Sequence, residues 1–175
     1  VQGEDKASIL IYGGSTATGT LAIQFAKLSG YEVLTACSPR HFDRVKDLGA
    51  NAAFDYNDPK SANMIKEYTN DSLTLAFDTI SLESSAKYCD NALSSQGGDY
   101  SALLPIKIER ENIRDRATMA YTAFGEKFTF GPNEIPARPE DKAFLAVFCK
   151  IFEDMLVNGK IKVHNNTCNY QVIAM

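Results

Sequence analysis

Over the first two-thirds of the chain, short apolar runs alternate with segments of helical periodicity. Residues 8–12 (Ser-Ile-Leu-Ile-Tyr) form a run with the character of a buried strand. Beyond a Gly-rich turn, Leu21, Phe25 and Leu28 recur at helical spacing, with Ala22 and Ala26 on the same side and Gly30 placed to end the helix. Residues 32–36 predict a second strand, and Phe42, Val45 and Leu48 mark a short helix stopped by Gly49. Residues 52–54 predict a third strand; Asp58-Pro59 then opens a helix carrying Met64, Ile65 and Tyr68. A fourth strand is predicted at 73–77, a helix at 82–93, a fifth strand at 100–104 and a sixth at 117–124.

The pattern then changes. Residues 125–140 hold Pro132, Pro136 and Pro139 and read as a long loop. A helix is predicted at 142–157, with Phe144, Val147, Phe148, Ile151 and Met155 at helical spacing and Gly159 at its end. Residues 161–164 suit a last strand, and 169–175 the start of another helix. Strands alternating with helices predict an α/β fold, a doubly wound parallel sheet of the Rossmann type with strand order 3-2-1-4-5-6.

Composition narrows the function. A chain of 175 residues, 45% hydrophobic and 23% charged, suits a soluble globular domain or a domain with a segment of another. No stretch approaches the roughly 20 apolar residues of a membrane helix, and no signal peptide opens the chain. The first residue is Val1, which suits a trimmed chain. The net charge of −4, with Lys and Arg scattered, argues against nucleic acid. Cys37, Cys89, Cys149 and Cys168 are far apart, and His41 and His164 are isolated. That spacing points to reduced thiols in a cytoplasmic protein without a metal site.

One segment carries chemistry. The predicted first strand runs into Gly13-Gly14-Ser15-Thr16-Ala17-Thr18-Gly19 and then a helix. The first turn of a helix has backbone N–H groups without partners and partial positive charge, so a pyrophosphate fits there. Gly13 allows a sharp turn out of the strand, Gly19 close packing of helix on sheet, and Ser15, Thr16 and Thr18 add hydroxyl donors. The pattern departs from G-x-G-x-x-G because Ser15 or Thr16 fills the second Gly position. A strand–turn–helix with a Ser/Thr cap and no ligand is the competing reading.

NAD-binding folds place an Asp or Glu at the end of the second strand for the ribose hydroxyls. Here Cys37-Ser38-Pro39-Arg40-His41 stands instead, and the first acid, Asp43, falls in the following helix. Ser38 and Arg40 suit a 2′-phosphate, which points to NADPH; a surface cation and a plain helix start are the alternatives. Tyr56, at the end of the third strand, could reach the same phosphate or be a structural tyrosine.

These runs, with Ala-Lys-Leu-Ser-Gly-Tyr at 26–31, Leu-Gly-Ala at 48–50, Phe-Asp-Tyr at 54–56, Thr-Ala-Phe-Gly-Glu at 122–126 and Val-Asn-Gly-Lys at 157–160, carry a family likeness. The sequence resembles the medium-chain dehydrogenase/reductase superfamily, and within it the fungal trans-acting enoyl reductases of polyketide synthases, the lovastatin type. The resemblance implies a pyrophosphate loop at Ser15, Thr16, Ala17 and Thr18, and 2′-phosphate contacts at Ser38 and Tyr56, with Arg40 or His41 supplying positive charge. It places Thr79 and Ile80 close to the cofactor and Leu103 toward the nicotinamide. It further implies an NADP(H)-binding domain over 1–160, with 161–175 returning toward a GroES-like catalytic domain that lies outside the chain. The substrate would be an enoyl thioester on a synthase carrier domain. No catalytic residue is assigned, and little turnover is expected of this chain alone. The rival functions are a zinc-free quinone or enone reductase and a non-catalytic NADPH-binding or synthase-docking module. A short-chain dehydrogenase is disfavoured, since no Tyr-x-x-x-Lys pair follows the fourth strand. Apolar residues over 128–135, with Phe144 and Phe148, suggest faces left open for a homo-oligomer.

Overall fold

The structure is a computed structural model and describes residues 6–163. Six parallel strands, β1 (Ser8–Tyr12), β2 (Glu32–Cys37), β3 (Ala52–Asp55), β4 (Leu75–Asp78), β5 (Gly98–Ala102) and β6 (Ile113–Ala117), form one sheet in the order 3-2-1-4-5-6. Helices α1 (Ala17–Leu28), α2 (Phe42–Asp47), α3 (Ser61–Tyr68) and α4 (Glu83–Ala92) connect the first five strands. The chain then forms a hairpin of β7 (Phe128–Phe130) and β8 (Asn133–Ile135), followed by α5 (Pro139–Val157).

Alternation within the central strands builds two cores. Leu10, Leu34, Ala76 and Tyr100 pack with Ile65 of α3 and Ala86 and Cys89 of α4. Their neighbours Ile11, Val33 and Cys37 pack with Ile23 and Ala26 of α1 and Val45 of α2. A central strand is therefore apolar at nearly every position, which is why the first strands read as continuous hydrophobic runs. Each fully buried Leu, Ile or Val among them contributes about 1.5–3 kcal/mol.

The fold class and strand order are as the sequence predicts, with three local corrections. The sixth strand lies at Ile113–Ala117, not at 117–124. As an edge strand it buries only Ile113 and carries Arg114, Asp115 and Arg116 in the open, so it offers no apolar signal. The aromatic stretch that suggested a strand is a 3-10 turn over Ala120–Phe124, and Tyr121 packs on Phe128 and Phe130. The expected loop at 125–140 contains the β7–β8 hairpin, and Pro139 sits in the first turn of α5. No strand forms over 161–163. There the Gln24 side chain takes a neighbouring strand's place: its Nε2 donates to Lys162 O (3.0 Å), and Lys162 N donates to its Oε1 (2.7 Å). His164, Cys168 and the helix expected at 169–175 lie outside the described residues.

The helix α5 buries none of its residues fully. Phe148 and Phe152 meet Phe25 of α1, while Phe144, Val147 and Val157 are 69%, 60% and 80% exposed. Across the 128–135 segment Phe130 is exposed and Phe128 and Ile135 are half-buried.

Burial sets an alkaline limit on this fold. It pushes the Cys37 thiol up from 9.0 to about 11, with a smaller contribution from Asp55, and the Tyr12 phenol up from 10.0 to about 12. Both groups hold their protons more tightly folded than unfolded, so their stabilisation is complete below about pH 9 and is lost as pH rises through 11 to 12. The urea midpoint is expected to be steady to about pH 9 and to fall by about pH 11, less steeply in Cys37→Ala. A midpoint unchanged across that window would contradict this account.

Candidate functional site

The site begins where β1 ends. Gly13 turns the chain with φ +80°, and the N–H groups of Gly13 and Gly14 both donate to Ala36 O of β2, at 2.9 and 3.3 Å. Thr16 caps α1, its Oγ1 accepting from Gly19 N at 2.9 Å. Space at this junction is fixed by three glycines. A Cβ at Gly13 would stand 2.5 Å from Thr79 Oγ1. One at Gly14 would collide with Thr35 Oγ1, and one at Gly19 with Gly13 O. Gly14 is thus as necessary as the other two, although only its neighbours were legible as motif glycines. Its constraint comes from Thr35, which is fully buried and donates to Ile11 O at 2.7 Å.

The N–H groups of Ser15, Ala17 and Thr18 have no partner among the described residues, and no acidic side chain lies in the first turn of α1. Ala17 and Thr18 are exposed and Ser15 half-buried. The turn that carries them lies at the carboxyl ends of β1 and β4, where the strand order reverses and where open α/β sheets bind ligands. The Thr16 hydroxyl, counted from the sequence among phosphate donors, is already engaged. Thr79 Oγ1 lies 2.8 Å from Tyr12 O, its nearest acceptor, and 3.1 Å from Thr16 Oγ1. Either hydroxyl of the Thr16–Thr79 pair can be the donor, so the Thr16 side chain is held by Thr79 as well as by its cap.

Ser38, Arg40, His41 and Tyr56 gather at the ends of β2 and β3. Ser38 precedes a 3-10 turn over Pro39–His41 but makes no side-chain cap; its hydroxyl instead donates to Tyr56 Oη at 3.3 Å. Tyr56 is 42% exposed, with its ring 6.1 Å from that of Tyr12, so it is both packed and presented. Arg40 is exposed, and its Nε donates to His41 Nε2 at 3.1 Å. One acid comes near: Asp55 is paired with Cys37 in the sheet register, and its Oδ1 accepts from Asn57 N and Nδ2, both at 3.0 Å. Asp43 is exposed in the first turn of α2.

On the other side of the switch point lie Thr79, Ile80 and Leu103, organised by residues that motif reading does not reach. Asp78 is fully buried. Its Oδ1 accepts from Ile80 N (2.8 Å) and Ser81 N (3.0 Å), and its Oδ2 from Ser85 Oγ (2.6 Å) and Tyr100 Oη (2.8 Å). Burial, reinforced by the bond to Asp78, pushes the Tyr100 phenol well up. The Ser81 hydroxyl accepts from Leu103 N (2.9 Å) and Leu104 N (3.2 Å). A strand-ending Asp followed by hydroxyl residues was the one available signal, and it is too common to mark a site.

A glycine-walled turn, open N–H groups at a helix head and a switch point beside them define a Rossmann-type nucleotide fold. The chain belongs to the medium-chain dehydrogenase/reductase superfamily. The zinc-binding dehydrogenase family model matches residues 17–100. The chain is 59% identical over 126 residues to the trans-enoyl reductase TOXD of Cochliobolus carbonum, covering 72% of this chain and 42% of the relative. It is 51% identical over 158 residues to the dual trans-enoyl reductase/FAD-dependent monooxygenase tazHJ of Aspergillus terreus, covering 89% of this chain and 23% of the relative. The chain thus spans less than half the length of either. In fold it matches CurA of Vibrio vulnificus, solved in complex with NADPH, with a TM-score of 0.63 at 15% identity, covering 92% of this chain and 49% of that one. Among the described residues no group of three His, Cys, Asp or Glu is placed to hold a metal, and no helix is long and apolar enough to cross a membrane.

The collision at Gly14 gives a direct test. Gly14→Ala should lower stability by about 1–3 kcal/mol, because Thr35 cannot move without abandoning Ile11 O. A urea midpoint equal to that of the unaltered chain would show that the turn has room to spare.

Proposed function

We propose that this chain binds NADPH and serves as the cofactor-binding portion of an enoyl reductase acting on α,β-unsaturated thioesters carried by a polyketide synthase. The observation that carries the proposal is the 59% identity over 126 residues to a trans-enoyl reductase. The geometry supports it: the donors are open, and glycines stand where any Cβ would close the turn.

The residues fit the cofactor in three places. The N–H groups of Ser15, Ala17 and Thr18, with the Ser15 and Thr18 hydroxyls, would hold the diphosphate beside Gly13, the head of α1 contributing its dipole. Ser38, Arg40, His41 and Tyr56 would hold the 2′-phosphate, a group that a strand-end carboxylate would repel. Thr79, Ile80 and Leu103 would flank the nicotinamide half. NADPH supplies the hydride, which goes to the β-carbon of the enoyl thioester. The contribution of this chain is to fix the cofactor's orientation. Donors that polarise the substrate carbonyl would come from a GroES-like domain in the region of the relatives this chain does not span, so the chain alone should turn over little or no substrate. Residues 1–160 would form the cofactor domain and 161–175 the return toward that second domain. The setting would be cytoplasmic, and the exposed apolar face of α5 would favour association of copies.

Calorimetric titration of the 175-residue chain with NADPH and NADH should show preference for NADPH. Arg40→Ala should weaken NADPH by about tenfold, the worth of one charged hydrogen bond, and leave NADH nearly unchanged. Equal affinity for the two cofactors, or no binding of either, would overturn the proposal.

A further inference from the structure

Ser81 stands out on two independent grounds. It is one of three described non-glycine residues with positive φ, at +60°, and it is 5% exposed. Such a backbone is uncommon for a side-chain-bearing residue and persists only where its surroundings impose it. The imposing group is Asp78, whose Oδ1 accepts from Ser81 N and Ile80 N. The consequence is the placement of the Ser81 hydroxyl. It lies 3.3 Å from Asp78 O as donor and accepts from Leu103 N and Leu104 N. One proton given and two lone pairs filled exhaust what a serine hydroxyl offers.

The hydroxyl therefore joins the segment after β4 to the segment after β5. No backbone carbonyl among the described residues accepts from Leu103 N or Leu104 N; the Ser81 hydroxyl takes both and so ties the two segments together. They carry Ile80 and Leu103. A dinucleotide whose diphosphate sits at α1 and whose adenosine half lies over β2 and β3 must send its other half over β4 and β5.

We infer that Ser81 is a positioning residue for the nicotinamide half of the cofactor, acting through the Ile80 and Leu103 walls; this rests on the NADPH reading above. Its influence is local. The adenosine end, built on β2 and β3, is anchored without it.

The test uses the 175-residue chain and two probes, NADPH and adenosine 2′,5′-bisphosphate, the latter lacking the nicotinamide half. Ser81→Ala removes the hydroxyl, and Ser81→Gly removes it while relieving the left-handed backbone. Both variants should bind the bisphosphate within about twofold of the unaltered chain, yet lose roughly tenfold toward NADPH. The change in nicotinamide fluorescence on binding should shrink in parallel. Equal losses for the two probes, or no loss for either, overturn the role of Ser81. Failure of the unaltered chain to bind either probe overturns the NADPH reading instead. Amide exchange in the unaltered, cofactor-free chain tests the bridge even if the variants do not fold. Leu103 and Leu104 should be protected, and exchange at the rate of an open loop would overturn the inference.

Discussion

The arrangement depends on how closely α1 can approach the end of β1. Gly19 lies against Gly13 O and Gly14 Cα, a packing that no side chain would allow. That approach aims the head of the helix at the carboxyl edge of the sheet. Without it, the N–H groups of Ser15, Ala17 and Thr18 would still be unpaired, as at any helix start, but they would not lie beside the reversal of strand order. Two further contacts hold the approach. Thr16 caps the helix, and Thr79 from the end of β4 ties that cap to Tyr12 O. The turn is consequently shared among three strands: β2 receives its first two N–H groups, β1 leads into it and β4 braces it.

Asp78 has the corresponding role at the end of the adjacent strand, β4. A fully buried carboxyl group is costly unless its oxygens are satisfied, and here four donors satisfy them. Those donors come from the turn after β4, from α4 and from β5. The group that must be satisfied thus dictates the shape of the turn, including the left-handed Ser81. The polar junction between β4, β5 and α4 works by geometry, whereas the apolar clusters on either side of the sheet supply most of the burial.

The sequence disclosed what is periodic and what is local. β1, β2, β4 and β5 were visible because inner strands bury both faces, the edge strand β3 because Ala52, Ala53 and Phe54 still form an apolar run, and the five helices because each shows a recurring apolar face. The edge strand β6 was not, because one buried Ile113 among charged neighbours carries no pattern, and the aromatic run after it imitated a strand. The glycine turn ahead of α1 was legible as a contiguous motif. Gly14 was not, since its need arises from Thr35, twenty-one residues away by the numbering and visible only once β2 lies beside β1. Asp78 and Ser81 escaped for the same reason: their roles are defined by partners on other elements. The engagement of the Thr16 hydroxyl by Thr79 likewise required the structure.

The three regions of the cleft rest on different strands and are exposed to different constraints. The α1 head offers backbone donors, which carry no information about which nucleotide is bound; it can supply affinity but little selectivity. Selectivity between one phosphate pattern and another must come from side chains, and these lie at the ends of β2 and β3, where Ser38, Arg40 and Tyr56 are at least partly exposed. Orientation of the far half of a dinucleotide needs rigid walls more than charges, and the β4–β5 side carries buried hydrogen bonds around Asp78. On the proposed NADPH reading, the exposed side chains at β2 and β3 would meet the adenosine half and the hydrogen-bonded turns after β4 and β5 would hold the other half in place.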